Sequence, residues 1–135
     1  MVRQTFNVEH YWRVIVYYNV SYGSFGVVGR ELLNKGASLK MTTGLRNTLL
    51  SGEAKAATFS NIGEHISIVL FGFHNTRIDY INSLVHEAEH VKQAMLDAYD
   101  VEDSGESPAY TIGYLVARMW EVFGKMKEGT SQPLP

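Results

Sequence analysis

At 135 residues, 45% of them hydrophobic, the chain has the size of one compact domain and enough apolar surface for a real core. A formal net charge of −2 with no basic run argues against nucleic acid and anionic membrane as partners, and the lack of cysteine removes disulfides, thiolate metal sites and cysteine nucleophiles. The opening MVRQTFNVEHYWR carries charges where a signal peptide needs an apolar stretch, and no run approaches transmembrane length, so a soluble, cytoplasmic protein is expected.

Tyr11 to Val20 alternates Trp12, Val14, Val16 and Tyr18 with Arg13 and Asn19, the period-two pattern of a half-buried strand. Gly23, Gly26 and Gly29 punctuate the next stretch, and Arg30 to Asn34 reads as a short helix stopped near Gly36. A second helix is expected from Ser38, with Met41, Leu45 and Leu49 on one face, ending at Gly52. Ala57 to Ser60 is a short extended segment. After the turn Asn61-Ile62-Gly63, the run His65 to Phe73 is apolar on both faces, as in an inner strand.

From Asn75 the period becomes helical, with Thr76 as N-cap and Asp79 three residues on. This stretch contains His86-Glu87-Ala88-Glu89-His90, an H-E-x-x-H sequence. Two imidazoles four residues apart on a helix can ligate one zinc ion, and the glutamate after the first lies beside the metal's water. At 100° per residue, with His86 at zero, His90 falls at about 40° and Glu87 at about 100°. Ile81, Leu84, Ala88, Val91, Met95 and Ala98 fall between about 120° and 220°, almost opposite the histidines. That stripe is expected against a sheet, with His86, Glu87 and His90 presented outward.

Tyr99 to Gly105 breaks the helix with acids and glycine, and Pro108 is acceptable in the first turn of a new one. From Ala109 to Met126 the chain is apolar nearly all round, through Ile112, Leu115, Val116, Met119, Trp120 and Phe123, so this helix is expected to pack back across the first. Its stripe of Glu106, Tyr110, Gly113, Ala117 and Gly124 has small residues that would let the helices approach and bring Glu106 and Tyr110 over the histidines. The domain is expected to span residues 1–127, with 128–135, containing Gly129, Pro133 and Pro135, a loose tail.

Without cysteine, a third metal ligand must be a carboxylate or histidine. Gln93 and Leu96 stand where the H-E-x-x-H-x-x-G-x-x-H form needs Gly and His. Asp97 shares the His90 stripe but lies about 10 Å along the helix, too far for an oxygen that must come within roughly 2 Å of the metal. Glu106 is the best candidate, with Glu102 and Asp103 weaker. Two histidines and a glutamate leave the fourth zinc position to water, Glu87 can accept that water's proton, and Tyr110 is a candidate oxyanion donor.

Four stretches together resemble a known family: Thr58-Phe59-Ser60-Asn61, Ile66 to Leu70, Asn82 to His90, and Glu106-Ser107-Pro108-Ala109-Tyr110-Thr111-Ile112-Gly113-Tyr114. They are similar to small zincin-like metallopeptidases of phages and prophages of gut bacteria, over roughly residues 55 to 116. The specific part is the joint occurrence of H-E-x-x-H and a later E-x-x-A-Y-x-x-G-Y. The resemblance implies an α+β fold, a minimal zincin-like domain whose small mixed sheet packs on the H-E-x-x-H helix, with Glu106 closing the zinc triad. It also implies a zinc-dependent peptidase acting on a peptide or protein, with virion association as one setting. The alternative is a zinc-binding phage or host-interaction module that keeps the site without turnover. A di-iron carboxylate site is discarded, because the second E-x-x-H it needs is missing.

Among the remaining candidates, Glu89 points about 60° to the other side of His86 and reads as a solvated charge. His65 and His74 read as strand-end residues, Trp120 as core, and His10 carries no signal.

Overall fold

The computed structural model describes residues 1–129, with side chains as far as Phe123. Its elements are β1 (Val2–Val8), β2 (Trp12–Tyr18), α1 (Phe25–Asn34), α2 (Leu39–Leu50), β3 (Ala56–Asn61), β4 (Ile66–Phe71), α3 (Arg77–Tyr99) and α4 (Glu106–Gly129). The expected α+β class holds. The strands form one mixed four-stranded sheet in the order β1-β2-β4-β3. β1 runs antiparallel to β2 and β3 antiparallel to β4, while the central pair is parallel, with Arg13 opposite Ile66 and Tyr17 opposite Leu70. A parallel pair needs a long crossover, and the segment containing α1, α2 and β3 supplies it.

Period two in the strands sorts side chains onto two faces. Trp12, Val14, Val16 and Tyr18 of β2, with Val69 and Phe71 of β4, face a core completed by Leu84, Ala88 and Val91 of α3 and Leu115, Met119 and Phe123 of α4. Ile15, Tyr17, Ile66, Ile68 and Leu70 face the other way, against Val28 and Leu32 of α1 and Leu49 of α2. β2 is therefore buried on both faces rather than half-buried; only Arg13 within it is exposed.

Local chemistry sets the helix ends. Ser38 Oγ accepts from Met41 N, and Thr76 Oγ1 accepts from Asp79 N at 3.0 Å, so the residue expected to start α2 and the expected N-cap of α3 each satisfy a first-turn donor. Gly36 has φ +102, and a Cβ there would collide with the Asn61 amide, whose Nδ2 donates to Lys35 O. Glycine is thus required where the end of α1 meets the end of β3.

Two expectations are corrected. β1 is a strand that the polar-looking N-terminus concealed, and α1 begins at Phe25 rather than Arg30. α4 does not cross the outer face of α3. It lies beside α3 on the same side of the sheet, against β1, sharing one core with it. A Cβ added to Gly113 would meet nothing, and Ala117 is exposed, so the small-residue stripe faces away from α3. The reason is that Leu115, Met119 and Phe123 are buried in the core shared with α3 and the sheet. α4 continues to Gly129, two residues into the expected tail, and residues 130–135 lie outside the described residues. No helix among the described residues is long and apolar enough to cross a membrane.

Candidate metal centre

α3 carries the site because its apolar stripe fastens it to β3 and β4. The seam differs slightly from expectation: Tyr80 is buried, while Ile81 is 40% exposed. His86 and His90 are both exposed, one turn apart, with Nε2 atoms 3.1 Å from each other. Two imidazole nitrogens bound to one tetrahedral zinc are roughly 3.3 Å apart, so the pair already has the spacing of two zinc ligands.

Glu87 does not face outward with them. It is 4% exposed, and its Oε1 accepts the Thr58 hydroxyl of β3 at 2.8 Å. At about 100° on the helix wheel, Glu87 borders the buried stripe, and β3 meets it with a donor rather than a methyl group. The carboxylate is thus held between the helix and the edge strand. The sheet continues this polar line inward. Ser60 and Ser67 hydroxyls lie 2.7 Å apart, and the Trp12 indole donates to Ser67 at 2.9 Å. Thr58, Ser60 and Ser67 alternate onto the α3 face; period two in β3 and β4 contains this signal, although nothing in the strands alone marks it as part of a site.

Glu106 is the first residue of α4 and is exposed. Among the described residues no three His, Cys, Asp or Glu side chains form a group that could hold a metal ion, so Glu106 is not gathered to the histidine pair. The cause is the placement of α4 beside α3 rather than over it. For the same reason Tyr110 does not stand over the histidines. It is 73% exposed and lines a cavity with Asn7, Glu9 and His10 at the β1–β2 turn. Asp103 is otherwise engaged: its Oδ2 lies 3.1 Å from Lys92 Nζ and accepts from Gln93 at 2.6 Å. Glu89 pairs with Lys92 at 2.8 Å, and that hydrogen bond first, then one from Gln93, outweighs burial and lowers its pKa. Asp97 is exposed on the helix and Glu102 in the connection. Trp120 is 38% exposed rather than core.

His65 and His74 have structural partners. His65 stacks on Trp12 and lies 3.3 Å from the Tyr99 hydroxyl. His74 is fully buried; its Nδ1 is 3.1 Å from Gly72 O and its Nε2 is 2.8 Å from Ser83 Oγ. Burial pushes its pKa below the ordinary 6.5.

Comparison with protein-family models, with curated proteins and with solved structures found no match.

Proposed function

We propose that the chain is a zinc-dependent metallopeptidase in which His86 and His90 hold the metal, Glu106 completes the ligand set and Glu87 is the general base. The observation that carries this reading is the approach of the His86 and His90 Nε2 atoms to 3.1 Å, with the intervening-turn residue Glu87 buried and held by Thr58 of the edge strand. A bound zinc ion supplies Lewis acidity and makes water nucleophilic near neutral pH. Glu87 accepts the proton of the attacking water and delivers it to the leaving amine, while the Thr58 hydroxyl keeps the carboxylate turned toward β3. β3 pairs with β4 alone among the described strands, so its outer edge is open to an extended peptide whose backbone would be read without regard to sequence. Bringing Glu106 to the pair requires a shift of the connection before α4, where Val101 to Ser107 is exposed and Asp103 is tied to Lys92 and Gln93 of α3. Tyr110 has no part in this proposal, because it stands at the β1–β2 turn.

The test combines metal content and turnover. Protein purified without chelator should contain zinc in equimolar amount, Glu106→Ala should lower zinc affinity markedly, and Asp97→Ala and Glu102→Ala should not. Glu87→Gln should retain the metal and lose about 10²–10⁴-fold in peptide cleavage, the usual effect of removing a positioned base. Cleavage that survives Glu87→Gln or chelation would overturn the assignment. Full zinc loading with no cleavage of a diverse peptide library would point to the module without turnover.

A further inference from the structure

The sheet separates two layers of opposite charge. α1 with its capping residue, together with α2, carries Arg30, Lys35, Lys40 and Arg46 against a single carboxylate, Glu31. Glu31 is already engaged, with Oε1 2.8 Å from Arg3 Nη2 and accepting the Tyr17 hydroxyl. Between Arg77 and Gly129, by contrast, the chain has ten carboxylates and five cations. The net charge of −2 averages these layers and hides the basic one.

On the basic side a groove of about 530 Å³ runs between α1 and α2. Arg30 from one helix and Arg46 from the other line it, with no carboxylate among the lining residues. Neither arginine makes a salt bridge among the described residues. Tyr22 stands in the same groove, 71% exposed, with the Arg46 guanidinium 4.7 Å from its ring centroid. Thr43 adds a hydroxyl and Leu33 an apolar wall, and at Gly26 a Cβ would meet only open space.

Two arginines lining one open groove with no carboxylate among the lining residues favour an anion there. Each is a planar fork suited to phosphate oxygens, and an exposed tyrosine ring is a platform on which any base can stack. We propose that this groove binds single-stranded nucleic acid, with phosphates on Arg30 and Arg46 and a base on Tyr22. Duplex bases are stacked internally and cannot reach the ring. A bilayer offers headgroup phosphates to the arginines but no base to the Tyr22 ring. An acidic peptide would satisfy the arginines but leaves the tyrosine face without a partner of its own shape. The groove lies on the face of the sheet opposite α3, so binding there does not depend on the zinc centre.

The test is fluorescence anisotropy of a labelled oligothymidylate strand titrated with the full chain. Binding should weaken about tenfold as salt rises from ~50 to ~200 mM, as two or three phosphate contacts on a single strand require. Arg30→Ala and Arg46→Ala should each reduce the salt dependence by about one phosphate contact. Tyr22→Ala should weaken binding about fivefold or more with the salt dependence unchanged. Arg77→Ala, which removes a cation from the other layer, should bind like the parent. Circular dichroism melts keep a folding defect from being read as a binding defect. Absence of binding at low salt, binding unaffected by the three groove variants, or capture of polyglutamate or anionic vesicles in preference to the oligonucleotide would each overturn the proposal.

Discussion

The two faces of the sheet are built differently. Toward α1 and α2 the core is aliphatic and aromatic, with Ile15, Ile66, Ile68 and Leu70 against Val28 and Leu32; its polar groups include the Tyr17 hydroxyl, which meets Glu31, and the Thr42 hydroxyl, which donates to Ser38 O. Toward α3 the same sheet contains Thr58, Ser60 and Ser67, and the helix places a buried carboxylate on that line. Apolar burial stabilises in proportion to area, whereas buried polar groups approach neutrality only when each finds a partner. One face therefore supplies stability and the other gives part of it up to hold a buried carboxylate in place.

That contrast can be broken by substitution. The largest stability effect is expected from Ile68→Ala, which opens a cavity in the aliphatic face and should cost about 2–5 kcal/mol in denaturant unfolding. Ser67→Ala on the opposite face should cost less, about 1–3 kcal/mol, by leaving the buried Trp12 indole without its acceptor. If Ser67→Ala proved the more damaging, the polar line would be a structural mainstay and the contrast would fail.

The smallest effect is a pH dependence. His74 is buried and neutral, and desolvation holds its folded pKa below 6.5; of the charges that face it, Lys55 adds to the depression, while Asp79 and the hydrogen bond to Gly72 work against it. An unfolded chain then binds more protons than the native one as the pH falls, so the His74 contribution is complete above about pH 6.5 and is lost progressively below it. His74→Gln should flatten this limb of stability against pH. Asp79, whose hydrogen bonds from Lys55 and Thr76 lower its pKa beneath 3.8, acts only in stronger acid and does not confuse the measurement.

Much of the fold was legible where side-chain chemistry acts locally. α2 starts after Ser38 and Thr76 caps α3 as expected, and Asn61-Ile62-Gly63 starts the turn between β3 and β4. β1 was missed because one of its inward positions is Gln4, whose amide accepts from Tyr18 and donates to Arg118 O, so the strand reads as polar. α1 was started late because Gly26 and Gly29 read as punctuation, although Gly29 sits against Phe25 and Thr42 where the two helices meet. For the site, helical spacing located the His86–His90 pair correctly. It could not say which neighbour the α4 stripe would meet, and the step from small residues to a helix crossing put Tyr110 over the histidines when it stands at the β1–β2 turn. Thr58 escaped notice because a threonine in a strand announces nothing until its partner on another element is known.

The parallel pairing of β2 with β4 has a consequence during synthesis. Trp12-Arg13-Val14-Ile15-Val16-Tyr17-Tyr18 leaves the ribosome long before Ile66 to Phe71, its central neighbour, exists. Until then the hairpin with β1 has one open edge on a strand whose two faces are both destined for the core, rich in β-branched and aromatic residues and carrying a single charge. Such a strand is a template for pairing with another nascent copy. Slow translation of the crossover, or crowded expression at high temperature, should therefore divert this chain into inclusion bodies through β2.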